Sequence, residues 1–131
     1  MPTRLAIVPQ HLGDTAVVTL AGELDKISAP RLEGTLSGLL SGGHRHLVLD
    51  VAELEFCDVA GLRLFLDFER QTRQAGGRLR LAAVGGVLRR LIQLSCLDNA
   101  FLIDPDVTEA LKACTRGAPG PGGQAKDTGE S

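Results

Sequence analysis

Residues 47–62 read LVLDVAELEFCDVAGL and carry the strand-to-helix transition that decides the fold. Residues 47–51 are almost continuously apolar, which is typical of a strand buried on both faces of a sheet. We predict a loop over residues 52–57, after which Asp58 precedes a long helix from Val59 to about Ala75. A buried strand that leads into a long amphipathic helix indicates an α/β protein with a parallel sheet.

Strand and helix patterns alternate on both sides of this stretch. Short apolar or alternating segments predict further strands at residues 5–8, 16–20, 79–83 and 101–103. Helical spacing predicts further helices from a Ser28 cap to Gly42, from residue 87 to 94 and from about 105 to 113. The predicted order is β-β-α-β-α-β-α-β-α. This is an α/β fold with a mostly parallel four- to five-stranded sheet, an N-terminal β-hairpin edge and about four helices.

The composition indicates one domain with an aliphatic core. The chain has 131 residues, including 22 Leu and four Phe but no Tyr or Trp. The last stretch, RGAPGPGGQAKDTGES, is rich in Gly and Pro and lacks large apolar side chains. We therefore predict a folded domain over residues 3–115 and a disordered tail over 116–131.

Charge and hydropathy exclude several classes of function. The net charge of −2 and the scarcity of aromatic side chains argue against binding to nucleic acid. No apolar run approaches the roughly 20 residues that cross a bilayer, so direct membrane insertion is not expected. The N-terminus does not resemble a signal peptide, and we expect a cytoplasmic protein.

No set of residues in the sequence forms a recognisable catalytic or cofactor site. His44 and His46 fall on one side of a strand start, but spacing suggests no third metal ligand. Gly85-Gly86 opens a helix without the lysine of a nucleotide-binding loop, so no cofactor is expected. Cys57 precedes a helix start, where a thiolate is favoured, yet no histidine is placed beside it. We expect a protein that is not an enzyme, with a thiol enzyme using Cys57 as an alternative.

The three cysteines, Cys57, Cys96 and Cys114, raise the possibility of redox control. In a parallel sheet, Cys57 and Cys96 belong to opposite ends of the strands, well beyond the roughly 7 Å that a disulfide spans. Cys96 and Cys114 both end helices at the same end of the sheet, which makes them the better pair.

Two boxes go beyond these general patterns. GELD at residues 22–25 follows the second strand, and FCDVAGL at residues 56–62 opens the long helix about 30 residues later. Together with the segments 49–51, 76–77 and 94–97, they resemble the STAS domain family, and within it the bacterial anti-sigma factor antagonists. The resemblance covers about residues 5–113, and the predicted element order is similar to the fold of that family.

The resemblance implies a mechanism. Such antagonists bind an anti-sigma factor, usually a GHKL-type serine kinase, and thereby release a sigma factor for transcription. The kinase phosphorylates a serine in the first turn of the long helix, within an aspartate–serine–serine–glycine–leucine box, and this ends the interaction. Here Val59 and Ala60 occupy the two serine positions, so the phospho-acceptor is lost at Ala60.

The same resemblance implies a binding surface in a monomer or weak dimer. Its expected residues surround the helix start: Glu23, Asp25, Ser28, Glu53, Glu55, Asp58, Val59, Ala60, Gly61 and Leu62. The low aromatic content predicts that this surface has no aromatic anchor.

Three explanations for Ala60 stay open. The chain is a constitutive antagonist, or a STAS module with another switch or partner, or it carries an engineered substitution. A separate alternative for the function is a STAS subunit of a lipid-trafficking ABC transporter, in which the same helix start docks on an ATPase.

Overall fold

The computed structural model describes residues 5–116, and these follow the predicted order of strands and helices. The strands are β1 (Leu5–Leu12), β2 (Thr15–Leu24), β3 (His46–Cys57), β4 (Leu79–Ala82) and β5 (Leu102–Asp104). The helices are α1 (Ala29–Ser41), α2 (Val59–Gln74), α3 (Gly86–Leu94) and α4 (Val107–Arg116). Because α4 includes Arg116, it extends one residue into the predicted tail, and the rest of that tail lies outside the described residues.

The five strands form one sheet in the order β1-β2-β3-β4-β5. β1 runs antiparallel to β2, whereas the other neighbouring pairs are parallel. Gly13 makes the tight turn between β1 and β2 with a φ of 67°, in the region that favours glycine. The predicted hairpin edge and mostly parallel sheet are thus confirmed.

β3 is longer than the sequence analysis predicted. The predicted loop over residues 52–57 is wrong, because Glu23 pairs with Phe56 and Leu24 with Cys57 in the parallel β2–β3 ladder. Two register shifts between these strands absorb the extra residues of β3. Glutamate is unfavourable in strands, and the acidic content of residues 52–57 concealed their alternation of polar and apolar side chains.

The core lies mainly between one face of the sheet and the helices α1, α2 and α3. Leu47 and Leu49 of β3 point to this face, where Leu36 of α1 and Phe65 of α2 are also fully buried. A smaller cluster on the opposite face joins α4 to the sheet through Val17, Val48, Ala82, Ala110 and Cys114. Right-handed crossovers place the first three helices on one face and leave the other to α4.

This division of the helices contradicts the predicted Cys96–Cys114 pair. Cys114 packs under α4, whereas Cys96 follows α3 on the other face of the sheet. Both thiols are free, as is that of Cys57. The two cysteines share an end of the strands but not a face, and the sequence pattern reported only the end.

Among residues 5–116, no helix is both long enough and apolar enough to cross a membrane.

Candidate partner-binding surface

The carboxyl ends of β2 and β3 and the start of α2 meet at one edge of the sheet. β2 ends at Leu24 and β3 at Cys57, which pair with each other. The next residue, Asp58, donates its backbone N–H to the Leu24 carbonyl at 3.1 Å. The ladder therefore extends to the residue that caps α2, and the helix start is held rigidly against the sheet.

Asp58 caps α2 as its position in the sequence predicts. Its backbone is extended, and its carboxylate accepts a hydrogen bond from the Gly61 N–H at 3.1 Å. This bond satisfies one of the N–H groups that lack a partner in the first helical turn. The carboxylate also adds negative charge where the helix dipole favours it.

Gly61 and Leu62 lie inside the protein rather than on its surface. A Cβ atom at Gly61 would lie 2.7 Å from the Leu24 Cγ and 2.8 Å from the Cys57 Sγ. The glycine of the box is therefore required by contacts within this chain. Leu62 is buried in the main core. The expectation that both residues face a partner has to be corrected, since neither side presents a reachable group.

Ser28 is also buried, and it does not cap α1 with its side chain as predicted. Its hydroxyl accepts from the Asp25 N–H at 3.0 Å and donates to the Glu23 carbonyl at 3.0 Å. The Asp25 carboxylate in turn accepts from the backbone N–H groups of Ile27 and Ser28. These bonds close the turn between β2 and α1 and push Ile27 outward.

Three large apolar side chains are exposed around the helix start. Ile27, Phe56 and Val59 expose 65%, 45% and 58% of their surface, respectively. Large apolar groups grouped at a surface often mark a binding site. Phe56 places an aromatic side chain here, contrary to the prediction of a surface without an aromatic anchor. Its alternation with Glu53 and Glu55 was the signal that could have placed it on the outer side of a strand.

Carboxylates surround these apolar side chains. Glu53 and Glu55 are exposed on β3, while Glu23, Asp25 and Asp58 are partly exposed. We call the exposed and partly exposed set the α2-start surface. Its members are Glu23, Asp25, Ile27, Glu53, Glu55, Phe56, Asp58, Val59 and Ala60. Its apolar centre and charged rim are the arrangement found in protein–protein interfaces.

Ala60 lies at the mouth of a groove between α1 and α2. The groove has a volume of about 520 Å³, and Ala29 and Glu33 of α1 face Ala60 and Arg63 of α2 across it. Ala60 is only partly buried, so the groove has room for a hydroxyl or a larger group at this position. Residues 58–62 contain no hydroxyl-bearing side chain.

Cys57 is not the reactive thiol that its place before a helix suggested. Its side chain points inward between Leu24 and Gly61. Burial, with a smaller effect from the Asp58 carboxylate, raises the pKa of the Cys57 thiol to about 12. The group is a neutral thiol at physiological pH, and only the thiolate acts as a nucleophile. The thiol-enzyme alternative and a redox role for Cys57 are therefore contradicted.

The histidines are arranged differently from the sequence expectation. His46 is buried as the first residue of β3, and burial is the main cause that lowers its pKa. His44 precedes the strand and contacts His11 of β1 instead. Within residues 5–116, no group of three or more His, Cys, Asp or Glu side chains is placed to hold a metal ion.

A rigid helix start with exposed apolar side chains and a carboxylate rim defines a protein-interaction domain. A family model described as "Mlab, STAS domain" matches residues 7–104. The chain therefore belongs to the STAS domain family, which confirms the resemblance seen in its two boxes.

Known relatives agree with this assignment. The chain is 31% identical over 104 residues to the anti-sigma-F factor antagonist RsfB of Mycobacterium tuberculosis, covering 79% of this chain and 84% of RsfB. Its fold is similar to that of an anti-sigma factor antagonist from Mycobacterium paratuberculosis, with 27% identity, a TM-score of 0.74 and coverage of 88% and 97%. It is equally similar to unphosphorylated SpoIIAA, with 25% identity, a TM-score of 0.74 and coverage of 88% and 100%.

Proposed function

We propose that this chain is an anti-sigma factor antagonist that regulates transcription in the cytoplasm by binding an anti-sigma factor of the serine-kinase type. The α2-start surface is the observation that carries the proposal. It exposes Ile27, Phe56 and Val59 beside the helix turn that corresponds to the family's switch box. The names of RsfB and the structural relatives support the same role.

The binding mode follows from the composition of the surface. Apolar side chains at its centre bury area against the partner and exclude water, which is how a few central residues dominate binding energy. The surrounding carboxylates select a partner with a basic face and speed its approach. Ser28, Gly61 and Leu62 support this surface from below, and only the exposed members contact the partner.

Ala60 makes the interaction independent of phosphorylation at this position. A phosphoryl group adds a charge of about −1.5 to −2, which would disrupt a surface already rich in carboxylates. With no hydroxyl in residues 58–62, a kinase partner has no acceptor in the first turn of α2. The antagonist is therefore held in its binding form.

A matched pair of substitutions tests the binding surface. Val59 opens α2 with 58% of its surface exposed, and Val87 lies in the first turn of α3 with 50% exposed. We expect Val59→Arg to weaken binding to the anti-sigma factor from the native host by about tenfold or more, because it places a charge in the apolar centre. Val87→Arg should leave the affinity unchanged.

Affinity is measured by isothermal titration, after capture of the partner from the host and its identification by mass spectrometry. Equal effects of the two substitutions would contradict the proposed surface. Capture of a transporter ATPase in place of an anti-sigma factor would favour the alternative of a STAS subunit in an ABC transporter.

A further inference from the structure

Two histidines that are distant in the sequence meet at the other end of the sheet. His11 lies near the end of β1, and His44 lies between α1 and β3. The His11 Nδ1 and the His44 Nε2 are 3.1 Å apart, and the ring centroids are 4.7 Å apart. Both rings are exposed, so an ion from solvent can reach them.

The His44 ring is oriented by the backbone. Its Nδ1 lies 3.2 Å from the Leu39 carbonyl oxygen. Since a carbonyl only accepts hydrogen bonds, this Nδ1 carries the hydrogen, and in the neutral ring the Nε2 presents a lone pair toward His11. A backbone carbonyl that holds one ring nitrogen while the other faces a ligand is the usual arrangement around metal-binding histidines.

An ion pair holds the same two segments together. The Arg45 Nε donates to the Asp14 carboxylate at 3.0 Å and so links the residue after His44 to the β1–β2 turn. The pairing of Thr15 with His46 begins the β2–β3 ladder immediately beyond. The spacing of the two imidazoles is thus set by the fold rather than by one flexible contact.

The spacing fits two ligands of one metal ion. Zinc–imidazole bonds are about 2.0–2.1 Å long, so two ligating nitrogens lie about 2.9 Å apart at a right angle and about 3.3 Å apart at the tetrahedral angle. The observed 3.1 Å falls between these values. A modest rotation of the rings turns both lone pairs toward a common point, with the hydrogen of the His11 ring on its Nε2.

We propose that His11 and His44 form a binding site for a divalent late transition-metal ion, for which Zn²⁺ serves as the probe. Imidazole suits such ions, whereas Mg²⁺ requires oxygen ligands. The two protein ligands leave the other coordination positions to water or to a group from a second molecule. Because the site lies at the amino ends of β2 and β3, it is separate from the α2-start surface and independent of the proposed function.

Titration of the full chain with ZnCl₂ in metal-free buffer tests the proposal. We expect one ion to bind per chain and no binding of Mg²⁺ under the same conditions. His11→Gln and His44→Gln should each raise the Kd for Zn²⁺ by about tenfold or more, because one of two ligands is lost. Cys96→Ser is the matched control, since Cys96 is an exposed soft ligand elsewhere, and it should leave the Kd unchanged.

Histidine ring resonances of the unsubstituted chain provide a second readout that does not depend on variants. Zn²⁺ should shift the resonances of His11 and His44 and leave those of buried His46 in place. Absence of binding to the unsubstituted chain, unchanged affinity in both histidine variants, or loss of binding in Cys96→Ser would each overturn the proposal. Circular dichroism verifies that every variant is folded.

Discussion

Ala60 lies in the first turn of α2, where N–H groups without helical partners and the helix dipole favour an anion. A serine at this position would point into the groove beside Arg63, where there is room for a hydroxyl. The fold thus retains a site that could accept a phosphoryl group, and the side chain that would carry it is missing.

Restoring the hydroxyl should restore the acceptor. We expect Ala60→Ser to gain one phosphoryl group when incubated with ATP and the cognate kinase, as measured by intact mass. Val59→Ser, in the same helical turn but one position earlier, is the control and should stay unmodified, as should the unsubstituted chain. Phosphorylation of the unsubstituted chain within α2 would refute the constitutive interpretation.

Gly61 shows that a motif residue can be retained for packing. A methyl group there would overlap Leu24 and Cys57, both of which are buried, and overpacking of this kind costs about 1–3 kcal/mol. We expect Gly61→Ala to lower the free energy of unfolding by about that amount in urea denaturation, despite the better helix propensity of alanine.

Gly38 is the matched control for this substitution. It lies in the interior of α1 with no atom within 4 Å of an added Cβ. Gly38→Ala should therefore stabilise the protein by about 0.5–1 kcal/mol. If both alanine substitutions stabilised the protein, the close packing around Gly61 would be disproved.

At the scale of elements, the edge strand β5 depends on a single ion pair. β5 has three residues, and Arg80 of β4 holds Asp104 through bonds of 2.7 Å and 3.3 Å. The two side chains are only 18% and 12% exposed. A short strand offers few ladder hydrogen bonds, so this bidentate contact contributes much of the connection between β4 and β5.

Removal of one charge should therefore be clearly destabilising. We expect Asp104→Asn to lower the free energy of unfolding by about 2 kcal/mol, because it leaves the largely buried Arg80 guanidinium unpaired. Lys112→Gln breaks the exposed Lys112–Glu109 pair of α4 and should change stability by less than about 0.5 kcal/mol. Urea denaturation of both variants distinguishes the two cases, and equal effects would argue against a special role for the Arg80–Asp104 pair.

At the scale of the whole molecule, charge is distributed unevenly although the net charge is only −2. The α2-start surface carries five carboxylates at one edge of the sheet. Such a field acts over about 10 Å at moderate ionic strength and mainly affects the rate of association.

Partner binding should consequently depend on salt. We expect the association rate with the anti-sigma factor to fall as NaCl rises, and Glu53→Lys to reduce both the rate and its salt dependence. Asp98→Lys, which changes an exposed carboxylate after α3 at the opposite edge, should alter neither. Surface plasmon resonance at low and high salt measures the effect, and identical behaviour of the two variants would contradict electrostatic steering by this surface.

Several features of the fold could be predicted from local patterns alone. The order of elements follows from hydrophobic spacing, and the Asp58 cap follows from its place before an apolar helical stripe. The extension of β3 to Cys57 could not be predicted with the same ease, because its register shifts are formed only against β2. The bonds of Ser28 likewise depend on the turn that brings Glu23 and Asp25 around it.

The sequence by itself determined the α/β class, the family boxes and the absence of a hydroxyl in residues 58–62. These properties depend on residue type and short-range spacing, which a linear chain displays directly. Only the tertiary structure decided that Gly61 faces inward while Phe56 faces outward, that Cys96 and Cys114 lie on opposite faces, and that His11 meets His44. Each of these depends on how segments far apart in the chain pack together, and local periodicity carries no information about that packing.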